Sequence, residues 1–464
     1  MSVLGALNAG VSGMDAQAAA LSAISNNVAN SQTVGYKETD TSFVDYVTQA
    51  SATSEAPGSV AALPQYMNAT AGTPTQTGNP TSLAVSGAGF FPVQLPVGAS
   101  GAGTSSFSPL QYYTRAGDFS PNNQGYLQNS EGYVLDGFPA ANAAGTSFNT
   151  NALQPIQISQ APSPPVATQN VSITGNIGST PPSGTTSYTS SVQVYDAAGN
   201  QQTLNLNWSQ VATDPTKPIS ATNAPKANEW NLTVSTADGA QSTGPMLVTF
   251  NPGSDPKNPT PGAVGTIESI GAATTPTSGT AITATMSTTT TTNSAATIGL
   301  ALNFGQGLQN VALNLGQFGS TNGITQFSGT SYAQSAPPAQ DGLPQGNYNG
   351  VTIGSNGNVV VNYSNGATST IAQVPLANFA DPDSLQQQSG QAFTATTDSG
   401  VANIVAPGTG GTGTMVAGSV EGSNVDIATQ FTQMIVAQQA YTANSKVITT
   451  ANSMLQVAVN MIQG

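Results

Sequence analysis

The chain has 464 residues, only 6% of them charged, with six Lys and Arg against twenty Asp and Glu for a formal net charge of -14. That balance excludes the basic footprint of a nucleic-acid binder. The absence of Cys and His removes disulfide frameworks, Cys/His zinc sites, thiol nucleophiles and His-based triads.

Residues 2–30 repeat apolar side chains at spacings of three and four: Leu4, Leu7, Val11, Met14, Ala18, Leu21 and Val28, broken only by Ser25. This heptad-like seam predicts a helix roughly 40 Å long at about 1.5 Å per residue. Asn30, Ser31 and Gly35 are its terminators. The first cation is Lys37 and polar residues interrupt the opening apolar run, so no cleavable secretory signal is expected. No stretch approaches the ~18 consecutive apolar residues of a membrane span, so no membrane insertion is expected.

The middle changes to a β pattern. Short β-branched or alternating runs at 171–173, 191–195, 204–208, 230–234 and 359–363 are separated by turn signals such as Ala198-Gly199-Asn200, Asp238-Gly239 and Ser364-Asn365-Gly366. Residues 272–297 are rich in Thr and Ala and read as an exposed strand or a loose loop. Catalytic readings are thin. Asp381-Pro382-Asp383 reads as a turn rather than a carboxylate pair. The Gly-rich stretch 408–413 lacks the ending of a phosphate loop and reads as a linker. No EF-hand spacing occurs, so neither a metal nor any other cofactor is expected, and neither is an enzyme.

The last forty residues return to helix, with Asp426 in the first turn. Phe431, Met434, Tyr441, Ile448, Leu455, Val459 and Ile462 share one face, and Ala440, Val447, Ala451, Met454, Ala458 and Met461 form a second stripe. Two stripes exceed what one partner helix covers. The expected fold class is multidomain α+β, with paired long terminal helices and nested all-β domains inserted between them. The boundaries expected are 1–30 with 423–464 for the helical domain, 31–80 with 396–422 for connecting segments, 81–160 with 300–395 for a middle β domain, and 161–299 for an outer inserted β domain. Periodicity leaves two readings open: an intramolecular helix pair capping one β core, or helices packed between subunits.

Certain residues carry a resemblance. Asn26-Asn27-Val28-Ala29-Asn30 followed by Thr33-Val34-Gly35-Tyr36-Lys37 resembles the N-terminal signature of the flagellar rod, hook and hook-associated family. Ser423-Asn424-Val425-Asp426, Ile435-Val436-Ala437-Gln438-Gln439-Ala440-Tyr441 and Ala443-Asn444-Ser445-Lys446 resemble the family's other end. Thr114-Arg115-Ala116-Gly117-Asp118-Phe119 is similar to a motif shared by its hook and rod members. Val192-Gln193-Val194-Tyr195-Asp196, Tyr363-Ser364-Asn365-Gly366 and the run through Asn378 and Phe379 resemble its hook branch.

The resemblance implies a homopolymer: a curved helical tube transmitting torque from rod to filament. The implied partners are the distal rod, hook cap, hook–filament junction proteins and flagellar export apparatus, and the implied location is the extracellular hook. On this reading Leu4, Leu7, Val11, Met14, Leu21, Val28, Phe431, Met434, Tyr441, Ile448, Leu455 and Ile462 lie between subunits. The rivals are a distal-rod or other axial subunit, and a secreted β-rich adhesin.

Overall fold

The computed structural model describes residues 3–51, 54–100, 104–142, 144–179, 187–213, 225–253, 262–276, 279–287 and 291–463. Helices stand at both ends: α1 (Val3–Ala29) and α2 (Ile427–Gln463), with β structure between them. The chain divides into two compact units, one of residues 1–160, 349–362 and 368–464, the other of 161–348 and 363–367. The α+β class and the terminal placement of the helices match the expectation from sequence.

α1 ends where its terminators stand. Asn30 N–H still donates to Asn26 O, Ser31 N–H donates to Val28 O, and Gly35 then takes φ +70°. Asp426 lies just before α2 rather than in its first turn. Its Oδ1 accepts from Ala428 N–H at 2.9 Å, which makes it the N-cap.

In the first unit the return leg zips antiparallel onto the outward leg. Thr414–Ala417 pairs with Leu83–Ser86, Ser419–Glu421 with Pro74–Gln76, and Ala392–Thr394 with Tyr112–Thr114. Phe91–Gln94 lies between Tyr112–Thr114 and Val134–Pro139 in an eleven-stranded sheet. One apolar cluster gathers Phe90, Tyr113, Phe379 and Phe393 from both legs, with ring edges meeting faces.

Residues 31–80 and 396–422 are therefore more than connectors. β1 (Thr39–Ser51) and β2 (Ser54–Tyr66) form a long antiparallel hairpin against α1, where Ser12 Oγ accepts from Val60 N–H at 3.1 Å. No Asn-Gly or Asp-Gly stands in the sequence between the two strands, so the pattern carries no hairpin signal there. The 408–413 stretch is a hydrogen-bonded turn rather than a linker: Gly408 N–H donates to Gly413 O, and Gly413 N–H to Ala88 O. Asp381-Pro382-Asp383 is a turn, with Asp381 capping a 3-10 segment at Pro382–Ser384.

The first unit also buries a carboxyl. Asp136 is fully buried, its Oδ2 accepts from Gln111 Nε2 at 2.8 Å, and its Oδ1 has no hydrogen-bond partner among the described residues. Burial pushes its pKa from 3.8 up to about 7, against the pull of Gln111. The folded chain therefore holds this proton more tightly than the unfolded chain. The carboxyl costs nothing below about pH 4, its cost grows between about pH 4 and 7, and it is complete above that. Asp136→Asn should remove this penalty. We expect its urea midpoint to exceed the parent's at pH 7.5 and the difference to shrink at pH 4.5.

The second unit shows how alternation builds a core. In Gln201–Ala212, Leu204, Leu206 and Trp208 are buried while Asn205 and Asn207 are not. Its neighbours Ser187–Tyr195 and Pro225–Thr236 pair antiparallel with it and add Val192, Val194, Trp230, Leu232 and Val234 to one apolar cluster. Ala295–Asn303 and Leu308–Gln317 contribute Leu300, Leu302, Val311, Leu313 and Leu315 to the same cluster. Residues 300–348 thus belong with this unit, not with the middle domain where the sequence boundary at 299 left them. The physical reason is pairing: Asn170–Ser172 lies parallel to 312–314, so the unit closes only when both are present. Within the Thr/Ala-rich stretch, Thr283–Met286 is a strand and Ile282 is buried, whereas residues 277–278 and 288–290 fall outside the described residues.

Candidate subunit interface

α1 and α2 pack antiparallel, with Gly10 opposite Ile448, Gly13 opposite Asn444 and Asn27 hydrogen-bonded to Gln430. Gly10, Ala16, Ala20, Ile24 and Asn27 are buried on α1, and Gln430, Ala437 and Ala451 on α2. A Cβ at Gly10 would stand 2.9 Å from Ile448 Cγ1, and one at Gly13 2.7 Å from Asn444 Nδ2, so glycine lets the two backbones approach here. The large apolar residues of the α1 seam do not mark this face, whereas on α2 the second stripe already holds Ala451. The signal was present, because these positions also recur at spacings of three and four.

The seam residues therefore lie off the helix–helix contact or at its margin. Val11 is exposed, and Leu7, Met14, Leu21 and Val28 are half-buried. On α2, Phe431 and Tyr441 are exposed, while Met434, Ile448 and Leu455 are half-buried. The side chains of Leu4 and Ile462 lie outside the described residues. Val459 on the same face is exposed, and beyond that face Ile435, Val436, Val447, Met454, Val457 and Met461 are also open, so exposure of large apolar groups along α2 runs from 41% at Tyr441 to 76% at Met461. Single exposed apolar residues are ordinary, whereas a helix lined with them marks a contact surface. A groove of about 310 Å³ runs between α1, α2 and β1, lined by Ala20, Ile24, Phe43, Val436 and Ala440 among others.

Beneath this surface, polar side chains fix the helices to the β structure of the first unit. Glu421, two residues behind the start of the 423–464 segment, is fully buried. Its Oε1 accepts from Lys37 Nζ at 2.6 Å and Gly72 N–H at 2.8 Å, and its Oε2 from Arg115 Nη1 at 2.9 Å. Lys37 Nζ also donates to Thr70 O, Arg115 Nη2 donates to Gly87 O, and the guanidinium sits 4.9 Å over the Phe90 ring. One carboxylate thus gathers four segments of chain. Burial and the neighbouring Arg115 push Lys37 down to about 8, against the pull of Glu421.

A second cluster links the two helices. Asn27 Nδ2 donates to Gln430 Oε1 at 3.0 Å and to Thr39 O at 2.9 Å, and its Oδ1 accepts from Tyr36 OH and Thr39 N–H. Gln430 Nε2 donates to Glu38 Oε1 at 2.7 Å, and Asn424 Oδ1 accepts from Glu38 N–H. Burial and the Asp40 carboxylate push Glu38 up, against the Gln430 amide. The helix-end motif is thereby explained: Asn27, Tyr36 and Lys37 are buried junction groups. Asn30 closes the helix through Nδ2 to Asn26 O.

The two glycines of the motifs mark close approaches. A Cβ at Gly35 would collide with Ala116 N, and one at Gly117 with Leu83 O. The other motif residues serve elsewhere. Asn365 and Gly366 form a turn in the second unit, where Asn365 Nδ2 donates to Pro344 O at 2.7 Å and Gly366 takes φ +81°. Asn378 Oδ1 accepts from Phe379 N–H, and Phe379 packs edge-on to Tyr113.

No group of three or more His, Cys, Asp or Glu positioned to hold a metal occurs among the described residues, and none of their helices is long and apolar enough to cross a membrane.

Comparison with known proteins places flagellar matches along the chain. Residues 7–37 match the family model described as flagella basal body rod protein, and 84–179 that of the flagellar hook protein FlgE/F/G D1 domain. Residues 166–343 match the flagellar basal body protein FlaE D2 domain, and 416–461 the flagellar basal body rod FlgEFG protein C-terminal model. The chain is 32% identical over 465 residues to the flagellar hook protein FlgE of Brucella abortus biovar 1 (strain 9-941), covering 99% of this chain and 100% of that one. It is 31% identical over 468 residues to the flagellar hook protein FlgE of Rhizobium meliloti (strain 1021), covering 99% and 100%. The Helicobacter pylori flagellar hook protein FlgE2 crystal structure aligns at a TM-score of 0.41 and 14% identity, over 74% of this chain and 98% of that chain.

Proposed function

We propose, because the chain belongs to the flagellar hook protein family, that it is the structural subunit of the curved flagellar hook, the flexible joint that carries torque from the basal-body rod to the filament. It acts as a polymer rather than as a catalyst. The observation that carries the assembly surface is the open apolar face of α2 on a helix with a single charged residue. Copies related by a heterologous, non-closing operation bury such a face and grow into a helical tube. Val11 and its seam neighbours on α1, with Phe431, Ile435 and Tyr441 on α2, supply that contact.

Bending under torque adds a second requirement: the remaining contacts between copies must exchange partners as the tube turns. Only three ion pairs occur among the described residues, and two of them are the buried Lys37–Glu421 and Arg115–Glu421 contacts. The polar surface is therefore mostly uncharged, and its amides and hydroxyls trade hydrogen bonds through water at low cost. The tube meets the distal rod at one end and the hook–filament junction at the other, grows beneath the hook cap outside the cell, and receives its subunits from the flagellar export apparatus.

Electron microscopy of the purified full chain tests the reading. In high sulfate, which strengthens apolar burial, we expect curved tubes. Straight rods would reassign the chain to the rod, and a persistent monomer would overturn assembly altogether.

A further inference from the structure

Each terminal helix carries one charged residue. Within α1 it is Asp15, and within α2 it is Lys446; Asp426 precedes α2 and caps it. Both are exposed, and neither belongs to an ion pair among the described residues. At about 100° per residue, Asp15 lies roughly 150° around α1 from the buried line of Gly10, Ala16, Ala20, Ile24 and Asn27. Lys446 lies roughly 170° around α2 from Gln430, Ala437 and Ala451, between the exposed Ile435 and Val457. The two charges thus occupy opposite flanks of the helix pair and cannot reach one another within one copy.

They do lie at nearly the same height. Gly10 contacts Ile448, Gly13 contacts Asn444 and Asn27 bonds Gln430, which sets Asp15 level with about residue 442. Lys446 is then displaced along the axis by about 6 Å. An acid on one flank and a base on the other, at similar height, gives the two different, complementary patches that a side-by-side heterologous repeat uses.

We propose that Asp15 of one copy pairs with Lys446 of the next. With no other charge on either helix, and uncharged Thr442, Thr449 and Thr450 exposed beside Lys446, this pair sets the axial register between adjacent copies. An offset stack leaves both charges without an opposite partner in a contact that excludes water, which is costly. The inference rests on the assembly reading above and deepens it by naming the contact.

Charge reversal in the full chain tests it. Asp15→Lys alone and Lys446→Glu alone should each raise the critical concentration for polymerisation by about tenfold or more, because like charges then face each other. An equimolar mixture of the two variants should polymerise near the parent's concentration, since alternating copies restore every pair. The double variant should do the same. Single variants that assemble like the parent would overturn the pairing, and so would a mixture no better than its components. In either case a polymerising parent leaves the assembly reading intact, whereas a parent that never polymerises removes both.

Discussion

Glu421→Gln should unseat both ends of the chain at once. The substitution keeps the shape of the side chain and removes the only anion between two cations whose side chains are each 1% exposed. The amide oxygen can retain a hydrogen bond to one cation, but its NH2 group then faces the other. Removing one partner from a buried ionic cluster costs about 3–5 kcal/mol, because the remaining charges keep their desolvation penalty. Lys37 provides a partial escape. Its pKa is already down at about 8, and losing the carboxylate drives it lower, so the variant relieves its repulsion by releasing that proton. The penalty should therefore be larger at pH 6 than at pH 9. Urea denaturation of the two full-length proteins at both pH values measures it. Adding Lys37→Met to Glu421→Gln should recover part of the loss, since one buried cation is then gone. Equal stability of parent and Glu421→Gln at pH 6 would mean that the cluster does not secure the junction.

Phe431→Asp should abolish polymerisation and leave the monomer folded. Phe431 is 50% exposed on α2, so an aspartate there stays hydrated in the single chain. Between copies it places an unpaired charge in an apolar contact, where desolvation without a partner costs several kcal/mol. At about 1.4 kcal/mol per tenfold, the critical concentration should rise more than about a hundredfold. Sedimentation reports the polymer, and circular dichroism with urea unfolding reports the monomer. Leu21 and Leu455 are less clean positions for the same test. Both are half-buried against the chain itself, so a charge there would disturb the helix pair as well as the contact. Tubes forming normally from Phe431→Asp would remove α2's outer face from the assembly.

What was legible in the sequence was local. The three-and-four spacing of α1 and α2 and the alternation of Leu204, Leu206 and Trp208 record periodicity, and each became the expected element. The motifs around Asn27, Lys37, Arg115 and Gly117 were visible as motifs, and the flagellar family followed from them. Their roles were not visible. Lys37 and Glu421 lie 384 positions apart, and only the return of the chain brings them within 2.6 Å. A lone Glu before a terminal helix carries no local sign of that neighbour.

The faces of the helices divide along the same line. Sequence by itself determined that both ends are helical, that they carry more apolar surface than one pairing covers, and that charge is too scarce to fix a register by many ion pairs. Only the tertiary structure decided which surface is used within the chain. Gly10 and Gly13 take the inner contact because the lack of a side chain lets two helices approach closely, and close approach gains packing. Phe431 and the larger residues around it are thereby left outside. That choice depends on the distance between two segments at opposite ends of the chain, a quantity that no local spacing encodes.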